Sequence, residues 1–425
     1  MITLYPHQAE CLKRLEEKNR VAIYHDMGLG KTFTGSEKMM QLGSKVNLVI
    51  CQKSKVQDWV DHFRFWYDRK CHALDLTNKT QMIAFWEYQK LTAPLPIIGI
   101  INYDLIFRRP ELMDLEDFTL MLDESSLICN EKAKRSKAVL KMQPQNVILL
   151  SGTPTAGKYE KLWSQCRLLG WNIRKDVFWN SYICTRWVDF GGFMQQVVTG
   201  YKNTEHLKKK LAEHGAVFLK TEEVMNLPEQ IEQKIYLTRT RDYNHFMVDG
   251  YVELNNGTEL YGDNTLTKML YGRQLCGQYH KAKQDAFRDL LNSTEDNLVV
   301  FYNFNGELSV LTKIALDEGR TPGIINGKRK DSLAGKDILF VQYQAGAYGL
   351  NLQGFSNRII YFTLPLGKGS CDMWEQSKKR IHRIGQNKTC FYYYLLVADS
   401  IETRNLEALK EGRDYTNYLF ERDEK

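Results

Sequence analysis

The chain has 425 residues, 43% hydrophobic and 26% charged, a composition that excludes a disordered or fibrous polymer and a length that suits two to three domains. Lysine and arginine number 58 against 51 aspartates and glutamates, so the net charge of +7 leans toward a polyanionic partner. Nine cysteines with no C-x-x-C pair argue against a disulfide framework or a zinc site and for reduced intracellular thiols.

The first residues, Met1 to Gln8, carry no leader pattern, and no apolar run reaches the roughly 20 residues of a membrane span. A soluble chain outside the membrane is expected. Val21–Tyr24 is the first β-rich run, and Asp26-Met-Gly-Leu-Gly-Lys-Thr32 follows it. Gly28 and Gly30 give a tight turn before a helix, whose backbone N–H groups can cradle phosphate. Lys31 can reach the β- and γ-phosphates and Thr32 can hold magnesium.

Further short apolar runs at Val46–Cys51, Ile97–Ile101, Thr119–Leu122 and Val147–Leu150 alternate with helical patterns, a rhythm that predicts a parallel sheet. Asp123 and Glu124 stand directly after one of these strands, where Asp123 can bind the metal and Glu124 can polarise an attacking water. Ser151-Gly-Thr-Pro154 ends the next. From about Tyr159 to Lys281 the pattern turns helical and aromatic, and nothing there announces a strand-splitting hairpin. A second alternating block then runs through Asn297–Tyr302, Thr321–Ile325, Asp337–Val341, Arg358–Phe362 and Thr389–Val397.

Near the end, Gln376-Ser-Lys-Lys-Arg-Ile-His-Arg-Ile-Gly-Gln386 places Arg380 and Arg383 three residues apart, on one face if helical, a geometry that spreads charge over a γ-phosphate. Ser400 to Lys425 is charged and helix-prone, with Ile401, Leu406 and Leu409 as the apolar stripe of a brace. The aromatic clusters Phe63–Tyr67 and Phe391–Tyr394 are expected to pack in cores rather than stack on bases.

The ordered motifs resemble those of Swi/Snf-type ATPases (the Snf-two family) of helicase superfamily two. Leu4-Tyr-Pro-His-Gln8 is similar to the adenine-reading motif, which implies that Gln8 grips the base. His25 to Thr32 corresponds to motif I, Asp123-Glu124 to motif II, Leu150 to Pro154 to motif III, Ala345 to Leu352 to motif V, and Gln376 to Gln386 to motif VI. The glycines of motif V, among them Gly349, permit a tight loop near phosphate or DNA backbone. Departures occur at His25 and Asp26, where the family prefers Asp-Glu, and at Ser126, where it prefers histidine.

The resemblance implies an α/β protein of two RecA-like parallel-sheet lobes with a helical insertion between them. The expected division is 1–170, 171–281 and 282–425. ATP and Mg2+ are the implied cofactors, Gln8, Gly28, Gly30, Lys31, Thr32, Gly349 and Gln376 the nucleotide-binding residues, and Lys31, Asp123, Glu124, Arg380 and Arg383 the catalytic ones. Thr32 and Asp123 would hold the metal. Lys53, Ser54, Asn102, Tyr103, Asn130 and Asn351 are the implied DNA contacts, with Lys132 to Lys137 extending that track or forming a solvated face.

The expected activity is DNA-stimulated ATP hydrolysis in a cleft between the lobes, driving a monomeric motor along double-stranded DNA with an unidentified protein partner. The expected location is the cytoplasm of a bacterial or phage-infected cell, or the nucleus of a eukaryote. A strand-separating DNA or RNA helicase and a hydrolysis-dead nucleic-acid-binding scaffold are the alternatives.

Overall fold

A computed structural model of the chain describes residues 3–91, 95–155, 158–189, 194–224, 226–343, 350–367 and 369–411. The chain divides into two compact units, Met1–Met225 and Asn226–Lys425. Among the described residues, no helix is long and apolar enough to cross a membrane.

The first unit is built on strands β1 (Arg20–His25), β2 (Val46–Cys51), β3 (His72–Asp75), β4 (Ile97–Asn102), β5 (Phe118–Asp123) and β6 (Asn146–Leu150). Two strands of an antiparallel ribbon follow, β7 (Ile183–Asp189) and β8 (Met194–Tyr201), and then β9 (Ala216–Leu219). All but the ribbon form one parallel sheet in the order β3-β4-β2-β5-β6-β1-β9. Its central strands are buried along their whole length because helices cover both faces, which is why they read as unbroken apolar runs. Side chains alternate between two cores. Ala22, Leu48, Ile50, Leu120 and Leu149 enter one, while Val21, Val49, Ile100, Met121 and Ile148 enter the other.

The second unit repeats the plan with β10 (Gln230–Leu237), a small hairpin of β11 (Tyr251–Glu253) and β12 (Glu259–Tyr261), and then β13 (Leu298–Tyr302), β14 (Pro322–Ile325), β15 (Ile338–Gln342), β16 (Arg358–Tyr361) and β17 (Cys390–Val397). Its sheet is parallel, in the order β10-β17-β16-β13-β15-β14. Tyr392 and Tyr394 are buried here, so that aromatic cluster is core. In the other cluster Phe63 and Tyr67 are buried, but Phe65 is 75% exposed.

The middle of the chain holds the expected helices at Lys175–Tyr182, Thr204–Glu213, Arg241–Asp249 and Thr265–Cys276. It also holds six strands, β7 to β12, of which β9 joins the first sheet and β10 the second. The antiparallel β7–β8 ribbon is an element that the helical and aromatic pattern did not announce. The available signal was the Gly191-Gly192 pair between two aromatic and β-branched runs; that pair lies outside the described residues.

The terminal helix Ile401–Lys410 buries Ile401, Leu406 and Leu409 as the stripe predicts, and the Ser400 hydroxyl caps it by accepting from Glu402 N at 3.1 Å. Beneath it, Lys283 Nζ pairs with Glu402 Oε1 at 2.5 Å with both side chains out of water, and Val397 N donates to Glu402 Oε2 at 2.9 Å. Removing one partner leaves a buried charge alone. Lys283→Met should therefore cost about 3–5 kcal/mol in urea unfolding, and adding Glu402→Gln should recover part of it. A single-variant loss below about 1 kcal/mol would rule the pair out as a determinant of stability.

Candidate functional site

Strand β1 ends at His25, and the turn that follows delivers helix Lys31–Leu42. Gly28 (φ 91°) and Gly30 (φ 70°) take the left-handed conformation that lets this turn close without a Cβ clash. The Lys31 ammonium donates to the carbonyls of His25 (2.9 Å) and Asp26 (3.2 Å), folding back over the turn. The turn is held from outside. Asp26 Oδ2 accepts from Thr221 N and Oγ1 at 3.2 and 3.3 Å, His7 Nε2 bonds to the Leu29 carbonyl at 3.0 Å, and Gln8 Nε2 donates to the Gly30 carbonyl at 2.9 Å. Gln8 Oε1 accepts from Tyr5 N, so this buried amide braces the turn with both its ends.

Asp123, at the end of β5, accepts from the Trp59 indole N–H at 2.8 Å. Burial raises its carboxyl above the usual range, against the pull of Trp59 and of the nearby Lys31 and Lys55 cations. Glu124 follows in the left-handed region (φ 54°), with Ser151 Oγ 3.5 Å from its Oε2. Gly152 lies beside the P-loop lysine, since a Cβ there would come within 3.4 Å of Lys31 Nζ. The expected phosphate turn, acidic pair and Ser-Gly-Thr-Pro loop thus meet at the C-terminal ends of β1, β5 and β6.

Sequence reasoning missed the residue that joins them. Gln165 Oε1 accepts from the hydroxyls of Tyr24 (2.9 Å) and Ser125 (2.7 Å), while its Nε2 donates to the Pro154 carbonyl (2.7 Å). A glutamine inside Leu162-Trp-Ser-Gln-Cys-Arg-Leu-Leu169 gives no local signal of this.

Thr32 and Asp123, the expected metal holders, carry hard oxygen donors of the kind Mg2+ prefers. Among the described residues no cluster of three or more His, Cys, Asp or Glu offers a closed metal cage.

In the second unit, helix Ser370–Lys378 stops before both arginines, so they do not share a helical face. The Leu352 N–H takes the Arg380 carbonyl at 3.1 Å instead. Arg380 is only 2% exposed and donates to the Leu350 carbonyl at 3.0 Å and to Gln376 Oε1 at 3.3 Å. Gln376 in turn donates to both Asp372 oxygens at 3.1 Å. Arg380 and Gln376 are thus engaged inside the unit rather than turned outward. Arg383 is half-buried and meets Asn351 Oδ1 at 2.5 Å. Gly349 lies outside the described residues.

Of the expected DNA contacts, Lys53, Ser54, Asn130 and Asn351 are exposed, as are Lys132, Lys134 and Lys137. Asn102 and Tyr103 are buried. The Tyr103 hydroxyl donates to the Asp123 carbonyl at 2.9 Å, which makes it a support of the acidic pair.

Residues 7–280 match the family described as SNF2-related domain. The chain belongs to that family. It is 27% identical to the DNA repair and recombination protein RAD26 of Saccharomyces cerevisiae, with 91% of this chain and 38% of that protein covered. It is 22% identical to an uncharacterized ATP-dependent helicase, YqhH, of Bacillus subtilis, covering 96% of this chain and 78% of that one. A mouse SWI/SNF-related regulator of chromatin is 22% identical over 90% of this chain and 40% of its own length. The chain thus spans about 40% of the two eukaryotic relatives. A Sulfolobus solfataricus SWI2/SNF2 ATPase core in complex with dsDNA is 18% identical, with a TM-score of 0.46 over 96% of this chain and 91% of that one. Both units are parallel-sheet α/β, as the resemblance implied.

His25, which departs from the family pattern, is fully buried, and neither ring nitrogen has a hydrogen-bond partner among the described residues. Burial, followed by the Lys31 cation, lowers its pKa to about 3. The folded chain therefore keeps it neutral while the unfolded chain protonates it below about 6.5, so stability is full above that pH and falls toward pH 3. The slope of roughly 1.4 kcal/mol per pH unit predicts a loss of about 2 kcal/mol by pH 5 from this residue. His25→Leu should shrink the drop in urea stability between pH 7 and 5 by that amount; an unchanged drop would refute the assignment.

Proposed function

We propose that this chain is an ATP hydrolase that uses magnesium and translocates along double-stranded DNA. The observation that carries the reading is the meeting of Lys31, Asp123-Glu124 and Ser151–Pro154 around one phosphate-sized turn, tied together by Gln165. The names of the yeast and Bacillus relatives, which refer to DNA repair and to ATP dependence, support it.

In this reading the turn's N–H groups and Lys31 take the β- and γ-phosphates, and Lys31 leaves the His25 and Asp26 carbonyls to do so. Thr32 and Asp123 would hold magnesium, which would supply charge neutralisation to the phosphates. Glu124 orients a water toward the γ-phosphorus; the β–γ bridging P–O bond breaks, and ADP and phosphate leave. Arg383 contributes positive charge to that transition state. Ser125 and Pro154, joined through Gln165, carry the nucleotide's presence into the loop after β6. Exposed Lys53, Ser54, Asn130 and Asn351 address phosphates rather than base edges, which suits tracking along a duplex without reading its sequence.

Lys31→Ala and Glu124→Gln should each lower turnover about 10³-fold or more, with ATP binding retained only in the Glu124 variant. Parental turnover in either would sink the mechanism. Arg383→Ala should keep nucleotide affinity and lose turnover, whereas Arg380→Ala should lower the melting temperature through its lost burial. If Arg383→Ala hydrolyses ATP at the parental rate, Arg383 has no part in the reaction.

The choice of polymer is tested by comparing hydrolysis with duplex DNA, single-stranded DNA and RNA. Duplex should stimulate most, with steep salt dependence, and triplex displacement should occur without unwinding of a forked duplex. Stimulation by RNA alone, or efficient fork unwinding, would move the assignment to a helicase.

A further inference from the structure

The β7–β8 ribbon serves no purpose in the nucleotide site. It pairs only with itself, from Ile183 opposite Tyr201 to Asp189 opposite Met194. Its root is anchored: Ile183 is buried, Tyr201 packs against Tyr159 with the rings tilted and their centroids 4.6 Å apart, and the Tyr201 hydroxyl donates to Glu160 at 3.0 Å. Its outer half is largely exposed. Trp187 is 63% exposed and Met194 54%, and opposite Trp187 stands the exposed amide of Gln196.

An indole held in water on a two-stranded ribbon is costly unless something covers it, and the surrounding charge says what. Residues 158–220 carry eleven lysines and arginines against five acids, a net +6 in a chain whose total is +7. Lys202 directly follows the ribbon, and Lys208 and Lys209 sit on helix Thr204–Glu213, which the bond between Tyr182 and His206 (2.9 Å) ties to the ribbon's root. All three lysines are exposed and none forms an ion pair among the described residues, though Lys209 lies within electrostatic reach of Glu213. That is the chemistry of a nucleic-acid surface: cations for the backbone and an aromatic plane for a base.

We infer that the paired strands Ile183–Asp189 and Met194–Tyr201 form a second nucleic-acid contact, in which Trp187 stacks on an unpaired base where a duplex opens into a fork. An intact duplex hides its base faces, so the indole gains a partner only where pairing has ended. Lys202, Lys208 and Lys209 hold the adjoining phosphates. The inference rests on DNA being the polymer proposed above, and it adds a preference for junctions that the duplex-tracking residues do not supply.

The test is fluorescence anisotropy with the full chain and two labelled oligonucleotides of the same paired sequence, one blunt and one with two single-stranded arms. The parent should bind the forked substrate more tightly. Trp187→Ala should weaken forked binding roughly 5- to 100-fold, the range expected of one lost base stack, and leave blunt binding and blunt-duplex-stimulated hydrolysis unchanged. Trp187→Phe should restore most of the preference. Joint replacement of Lys202, Lys208 and Lys209 by Gln should flatten the salt dependence of forked binding. Equal affinities of Trp187→Ala and parent for the fork, or equal losses on both substrates, would overturn the inference while leaving duplex-stimulated hydrolysis standing. Absence of stimulation by any DNA would instead strike the proposed function.

Discussion

One side-chain amide holds the first unit's chemistry together. Gln165 spans β1, the turn after β5 and the loop after β6, accepting two hydroxyl protons and donating to a carbonyl. Its partners Tyr24 and Ser125 are buried, where an unmet hydrogen-bonding group costs about 1–3 kcal/mol. The three loops are therefore not independent, because a shift in one leaves a buried group unsatisfied in another. Tyr103 and Trp59 extend the same logic by fixing the backbone and side chain of Asp123.

The sequence was most legible where burial was complete. Strands such as β2, β4 and β13 are buried at every residue, so their apolar runs announced both place and length to within about a residue. Of the four edge strands only β14 was legible, as Thr321–Ile325. β3 and β9 are four residues long, and β10 is mostly exposed, so each lacks a sustained pattern and exists because a neighbour supplies hydrogen bonds. The ribbon failed for a different reason, since its strands are stabilised by each other rather than by a core.

In the candidate site, residue types pointed to the right chemistry but did not say which way each side chain turns. Motif spacing marked Arg380 and Arg383 alike, yet one is sunk under the Leu350 carbonyl and the other lies near the surface. Asn102 and Tyr103 were likewise marked as contacts and turn inward. Orientation depends on the packing of distant segments, which no local spacing encodes. Gln8 shows the same point, because its amide is consumed by Tyr5 and Gly30 of its own chain.

The placing of β17 between β10 and β16 has a consequence for how the chain is made. Among the described residues strand β10 pairs with β17 alone, residue 230 with residue 390 and onward. As the polypeptide leaves the ribosome, β10 must wait unpaired until residues 390–397 emerge, a delay of about 10–30 s at typical elongation rates. In the first unit β1 also waits, for β6 at residues 146–150, but that unit's last sheet strand, β9, is complete by residue 219. A nascent chain stalled between these points would carry one finished unit and one open sheet edge, a template for pairing with other chains and a natural substrate for chaperones.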